Sequence, residues 1–156
     1  MYISLDWLKD FVKIPAKITP TEIATSLTRH TVEVEGVIDR ADKFTGVVVG
    51  RVLEVNPHPN ADRLRLAKVD VGREILDIVC GAPNIAAGQI VPVAKVGAIL
   101  PSGVEIKAAE IRGAKSEGMV CAEDELDLGK DHEGIMVLED RVKIGSPFSK
   151  YLKASG

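Results

Sequence analysis

The chain has 156 residues, 46% of them apolar, and a formal charge of −3. That size suits one ordinary domain, or one domain with a small appendage, and the apolar share supports a packed core. No apolar run approaches the roughly 18 residues a membrane span requires. The opening Met1-Tyr2-Ile3-Ser4-Leu5-Asp6 lacks the basic-then-apolar layout of a secretion signal, so a cytoplasmic protein is the simplest expectation.

Residues 1–40 predict a small α+β unit. Ser4 can cap a short helix with Leu5, Leu8, Phe11 and Val12 on one face. Thr19-Pro20-Thr21-Glu22 is a capping box with proline at the first helical position. The helix it opens carries Ile23, Ala24 and Leu27 and ends near His30, and Val32–Glu35 alternates like a strand. Such a unit is too small to make its own core, so it is expected to pack on the next domain or on chain outside this sequence.

From about Phe44 to residue 150 the pattern changes to short strands separated by turn residues. Val47–Val55 is the first and longest strand, bent at Gly50. In the next, Leu64 and Leu66 set one phase and Ala67, Val69 and Val71 the other, which predicts a bulge near Leu66 or Ala67. Gly72-Arg73 turns the chain into Ile75–Cys80, and a short helical turn is expected over Ile85–Gln89. Ile90–Val96 follows, placed at an edge or a strand start by Pro92; then come Val104–Ile111 and Met119–Ala122. Five to six short strands with one helical turn predict a mainly β protein, a five-stranded OB-type barrel carrying the N-terminal α+β appendage. A sandwich is the alternative. A parallel α/β fold is excluded by the absence of long helices between strands. Residues 151–156 are expected to be a tail or the start of further chain.

Charge is unevenly spread. Residues 41–120 sum to +1, residues 121–140 to −7, and the last sixteen residues carry four bases and no acid. A phosphate-binding surface must then be local to the middle segment, with the acidic stretch facing away.

Two segments carry the binding signal. In His58-Pro59-Asn60-Ala61-Asp62-Arg63-Leu64 a rigid proline and two Asx-turn residues shape a loop. His58 is a candidate for base or phosphate contact, or for bonding only the loop backbone; Asn60 helps to set the loop and is itself a candidate RNA contact. Arg63, Arg65 and Lys68 follow on a strand, where they are candidates for a phosphate track or an ordinary solvated face. In Ile111–Met119, two glycines surround Arg112, Lys115 and Ser116, letting backbone and short polar groups approach phosphate closely. Asn84 and Lys95 extend the same surface. Generic single-strand binders stack bases on aromatic rings, yet Phe44 is the only aromatic between residues 41 and 120. Contact with folded RNA through shape, phosphate and 2′-hydroxyls fits better.

Catalysis finds little support. Asp131-His132-Glu133 are adjacent on a loop and do not converge on one point, and no phosphate loop or nucleophile elbow occurs. Cys80 and Cys121 lie far apart with no short-spaced partner, so both are expected to be small buried hydrophobes rather than zinc ligands or a disulfide.

The His58–Gly72 and Ile111–Met119 motifs resemble the tRNA-binding barrel of free-standing bacterial tRNA-binding proteins, of methionyl-tRNA synthetase C-terminal extensions, and of the bacterial phenylalanyl-tRNA synthetase β subunit. The flanks are similar to the N-terminus of that β subunit: Ile3-Ser4-Leu5-Asp6-Trp7-Leu8, Val32-Glu33-Val34-Glu35-Gly36-Val37, Ile78–Ile85 and Asp131-His132-Glu133-Gly134-Ile135-Met136. The resemblance implies a tRNA-binding module of phenylalanine–tRNA ligase, non-catalytic in itself. Its partners would be tRNA, the α subunit and the rest of the β subunit. It needs no cofactor of its own, since ATP and magnesium belong to the α subunit in that family. The competing expectation is a structural domain that organises the synthetase with little RNA affinity of its own.

Overall fold

A computed structural model describes residues 3–31, 33–37 and 43–155, and its contacts divide the chain into two compact units, residues 1–39 and 40–156. In the first, α1 (Leu5–Lys9) is capped by Ser4 and α2 (Pro20–His30) by the Thr19–Glu22 box. Both reciprocal bonds of that box form: Glu22 N–H donates to Thr19 Oγ1 at 3.3 Å and Thr19 N–H to a Glu22 carboxylate oxygen at 2.7 Å. The Thr19 amide, and then its hydroxyl, hold the Glu22 carboxyl below its ordinary value. Neither helix buries a residue, and Trp7 and Phe11 pack on each other while exposed. The strand expected at Val32–Glu35 does not form over Glu33–Glu35, and Val32 lies outside the described residues.

The second unit is built on β1 (Val47–His58), β2 (Ala61–Asp70), β3 (Ile75–Cys80), β4 (Ile90–Lys95), the short ribbon β5 (Ala109–Ile111) and β6 (Ala114–Ser116), and β7 (Gly118–Val120). Five strands form an antiparallel sheet in the order β3-β2-β1-β4-β7, and β5-β6 is a separate two-stranded ribbon. The sheet curls until its ends meet: Glu117 N–H donates to Asp77 O at 2.8 Å and Val79 N–H to Ser116 Oγ at 3.1 Å. This nearly closed five-stranded barrel is the expected OB-type architecture.

β1 serves two partners. Val47–Arg51 pairs with β4 and Arg51–His58 with β2. The switch falls at Gly50, where an added Cβ would meet Val93 Cγ2 at 2.8 Å and Val69 Cγ1 at 2.9 Å; the bend expected there is where the barrel turns. No bulge falls near Leu66 or Ala67, however; one register shift skips Leu53 on β1, and a second, between Pro57 and His58, passes over residues 62–64 of β2. β2 pairs with β3 without interruption from Arg65 to Asp70. β2 keeps Ala67, Val69 and Val71 inside and leaves Leu64 and Leu66 half-buried on the other face. Partial cover of two leucines costs less than a break in two ladders, which the sequence pattern alone did not weigh.

Pro92 also departs from expectation, standing in the middle of β4 between β1 and β7 and fully buried. Val49, its partner on β1, sends its own N–H and C=O to Ser146 and Gly145. The missing proline N–H therefore points to the β7 side, where β7 is ending. There Cys121 N–H donates to Pro92 O at 3.0 Å, and Cys121 O accepts from Met136 N–H at 3.0 Å. No buried group is orphaned by the proline.

The expected helical turn at Ile85–Gln89 is a pair of ordinary turns. The Gln89 side chain accepts from Ala86 N–H and donates to Asn84 O, taking backbone partners that a helix would have used. Of the expected Val104–Ile111 strand only β5 forms, with one isolated bridge from Glu105 to Ile99.

Two cores result. Inside the barrel lie Val52, Val69, Leu76, Ile78, Val91 and Val93, with Ile85 and Ile135 over one end. On the outer face of β1 and β4, Val47, Val49, Ile90 and Ala94 pack against Leu126, Leu138 and Phe148. β4 is thus buried on both sides. The helix α3 (Phe148–Ser155) crosses the boundary expected at residue 150: Phe148 is completely buried and edge-on to Phe44, and Tyr151 lies in the same core. Replacing Phe148 with alanine should cost about 3–5 kcal/mol in urea unfolding. A loss below about 1 kcal/mol would mean that α3 is a peripheral tail.

Candidate nucleic-acid interface

The two sequence segments singled out for binding meet in space. The β1–β2 turn, His58 to Ala61, touches the β5–β6 turn, Ile111 to Ala114. The second is a tight two-residue turn with Arg112 at φ 51° and Gly113 at φ 86°, both left-handed as a type I′ hairpin demands. Arginine pays for that conformation where glycine does not.

Histidine 58 is the hinge of this contact. Only 6% exposed, it accepts the Asn60 backbone N–H at Nδ1, 3.0 Å away, and its Nε2 lies 3.0 Å from Ile111 O. Because Nδ1 accepts a backbone N–H, Nε2 is the donor toward Ile111 O, and both ring nitrogens are occupied. Asn60 adds a second link, its Nδ2 donating to Arg112 O at 3.2 Å. His58 therefore bonds loop backbone, as one of the two sequence readings had it, and offers no free nitrogen to RNA.

Ser116 and Asn84 are also tied into the fold. Ser116 is buried, accepts Val79 N–H and donates to Gly118 O at 3.1 Å. Both ends of the Asn84 amide are engaged by Ile135, Nδ2 donating to its carbonyl at 3.0 Å and Oδ1 accepting its N–H at 2.9 Å. It pins the segment that lays Ile135 over the barrel end.

The six basic candidates split evenly. Lys68 pairs with Asp77 across β2–β3 at 2.8 Å, Lys95 with Glu74 at 2.5 Å, and Lys115 with Glu117 at 2.7 Å. The hydrogen bond to Asp77 raises the Lys68 ammonium, that to Glu117 raises the Lys115 ammonium, and the Lys115 bond lowers the Glu117 carboxyl. Glu54 and Asp77 add charge to the same network. Each of these lysines already has a carboxylate partner. Arg63, Arg65 and Arg112 are exposed and, among the described residues, make no ion pair. Arg65 continues the inward phase of Ala67 and Val69 past the end of the core, whereas Lys68 has the opposite phase. The expected single track of Arg63, Arg65 and Lys68 is thus two faces. Asp62 and Glu110 stand close in sequence to the arginines, so the tip is only mildly cationic.

The acidic partners Asp77, Glu74 and Glu117 were not singled out in the sequence, though one signal was available. Reflection about the Gly72-Arg73 turn sets Lys68 opposite Asp77, as the register confirms. Phe44, the lone aromatic of the segment, is buried and offers no stacking surface.

The other candidates are accounted for. His132 Nδ1 meets Asp124 at 2.6 Å on an exposed loop, and no group of three or more potential metal ligands occurs among the described residues. Cys80 and Cys121 are free and buried; burial pushes both thiols up, Cys121 to about 12. Among the described residues no helix is long and apolar enough to cross a membrane.

A family model described as "Putative tRNA binding domain" matches residues 47–147. Over 138 residues the chain is 53% identical to the phenylalanine–tRNA ligase beta subunit of Oleidesulfovibrio alaskensis, a match covering 88% of this chain and 17% of that protein. It is 48% identical over 158 residues to the protein of the same name from Chlorobaculum tepidum, covering 98% and 19%. The chain thus spans about a fifth of the length of the curated relatives it matches. Among solved structures, a MetRS-related protein from Pyrococcus horikoshii superposes with a TM-score of 0.51 at 20% identity, covering 72% of this chain and 97% of that one; this likeness shows the fold alone.

Ser116→Ala should cost about 1–3 kcal/mol in urea unfolding, because it leaves the Val79 N–H buried without a partner. Neither cysteine should react with iodoacetamide in the native chain near pH 8, and both should in denaturant; rapid native alkylation would contradict the buried, neutral thiols.

Proposed function

The chain belongs to the tRNA-binding domain family, and from that premise we propose that it binds tRNA as a module of a phenylalanine–tRNA ligase β subunit. The observation that carries the reading is the joined tip of the two hairpins with three unpaired arginines beside it. In OB-type barrels the second and third strands and the loops after the first and fourth strands form the oligonucleotide surface. Here the β1–β2 turn and the β5–β6 ribbon, which follows β4, occupy those places.

Arg63, Arg65 and Arg112 each present a planar fork suited to phosphate oxygens. With Phe44, the one aromatic between residues 41 and 120, buried, the module grips backbone and shape rather than splayed bases. It needs no cofactor of its own. It works in the cytoplasm beside the ligase α subunit, which supplies the ATP- and magnesium-dependent chemistry, and with the rest of the β subunit. The rival reading, an assembly domain with little RNA affinity, draws on the three carboxylate-paired lysines and the net charge of −3.

Titration with tRNA across salt concentrations separates the two. Three phosphate contacts give a slope of log K against log salt of about −2 to −3. Arg63→Ala, Arg65→Ala and Arg112→Ala should each reduce its magnitude by about one, while Lys68→Ala and Lys115→Ala leave it nearly unchanged. No binding at low salt would side with the assembly domain.

A further inference from the structure

The β5–β6 ribbon stands outside the barrel sheet, and an isolated two-stranded hairpin is at best marginally stable in water. Its base is anchored, since Ser116 and Glu117 both bond β3. Two side chains of the β1–β2 turn link to its tip: His58 to Ile111 O, and Asn60 to Arg112 O. The residue held there has a left-handed backbone that a non-glycine side chain adopts only where its surroundings fix it. Its guanidinium, like those of Arg63 and Arg65, makes no ion pair among the described residues. The buried, doubly bonded His58 offers no free nitrogen to a ligand, yet it joins the β1–β2 turn, which runs on into Arg63 and Arg65, to the tip that carries Arg112.

We propose that His58 and Asn60 are positioning residues for RNA binding: they clamp the β5–β6 tip to the β1–β2 turn, so that Arg112 is presented in fixed relation to Arg63 and Arg65. The inference rests on the tRNA-binding reading and assigns these two residues no contact with RNA. His58 fixes Asn60 by accepting its N–H, and Asn60 fixes Arg112 by donating to its carbonyl. When the clamp is cut, the arginine reaches its phosphate only after the tip is ordered. Affinity then falls while the number of ionic contacts, and so the salt slope, is kept.

The test is a double-mutant cycle on the chain with bulk tRNA, using Asn60→Ala, Arg112→Ala and the double variant. Asn60 is exposed, so its truncation leaves the core untouched. Asn60→Ala should weaken binding roughly two- to tenfold, the size of one net hydrogen bond, without changing the salt slope. In the Arg112→Ala background it should have no further effect. An unchanged affinity, a full-sized effect in that background, or a slope reduced by about one would overturn the positioning role. Amide hydrogen exchange on free protein provides a readout without RNA. In Asn60→Ala, faster exchange at Ala114, paired with Ile111 where the turn closes, supports the clamp; unchanged exchange there overturns it. A wild-type chain that exchanges as expected but binds no tRNA at low salt would overturn the tRNA reading and leave the clamp standing.

Discussion

The fold depends on a close approach that only glycine permits. At Gly50 the β1 strand passes from β4 to β2, and Val93 and Val69 close over the space a side chain would need. With β1 shared between two partners the sheet can coil and close. Three residues further on, the bulge at Leu53 resets the phase, so that Val52 and Val55 both face the barrel core. The outer face of β1 and β4 is then left apolar, and Phe148 with the segment before it covers that face. A second glycine contact locks this cover: Gly72 and Gly145 lie against each other, each at positive φ, and a Cβ on Gly145 would stand 2.6 Å from Val71 O.

The binding tip follows from the same frame. Ala67 and Val69 fill the barrel; Arg65, in their phase but past the core, emerges into solvent. Closure between β3 and the β6–β7 chain brings the β5–β6 ribbon over Val79 and within reach of His58. Charge is disposed by the same ladders, because Lys68 meets Asp77 across β2–β3, Lys115 meets Glu117 two residues on, and closure sets these two pairs beside each other. The lysines on the barrel wall are paired with carboxylates, and the arginines at its tip are not. A chain with net charge −3 can thereby keep a local cationic site, although a modest one.

What was legible in the sequence was local. The Thr19–Glu22 box, Gly50, the Gly72-Arg73 turn and the type of barrel depend on residues within a few positions of each other, and the structure has them as expected. The two binding segments were also legible, but their chemistry was not. His58, Asn60 and Ser116 look like ligand contacts in sequence because they are polar and stand beside turns; their partners Ile111, Arg112 and Val79 lie 37 to 53 positions away. Pro92 was misread for the same reason. Its missing N–H is harmless only because Met136 takes Cys121 O, which no local pattern records. The bulge expected near Leu66 or Ala67 does not form there, because half-burial of Leu64 and Leu66 leaves the β2–β3 ladder unbroken from Arg65 to Asp70.

The central claim is that RNA meets the joined tip and not the barrel wall. Titrating a ¹⁵N-labelled chain with tRNA and following its amide and arginine signals tests this most directly. The account predicts that the earliest and largest changes fall on Asn60–Arg65 and Ile111–Ala114, with Lys68, Asp77, Lys115 and α3 little affected. Changes centred on Lys68 and Lys115, or on α3, with the tip unmoved, would contradict it.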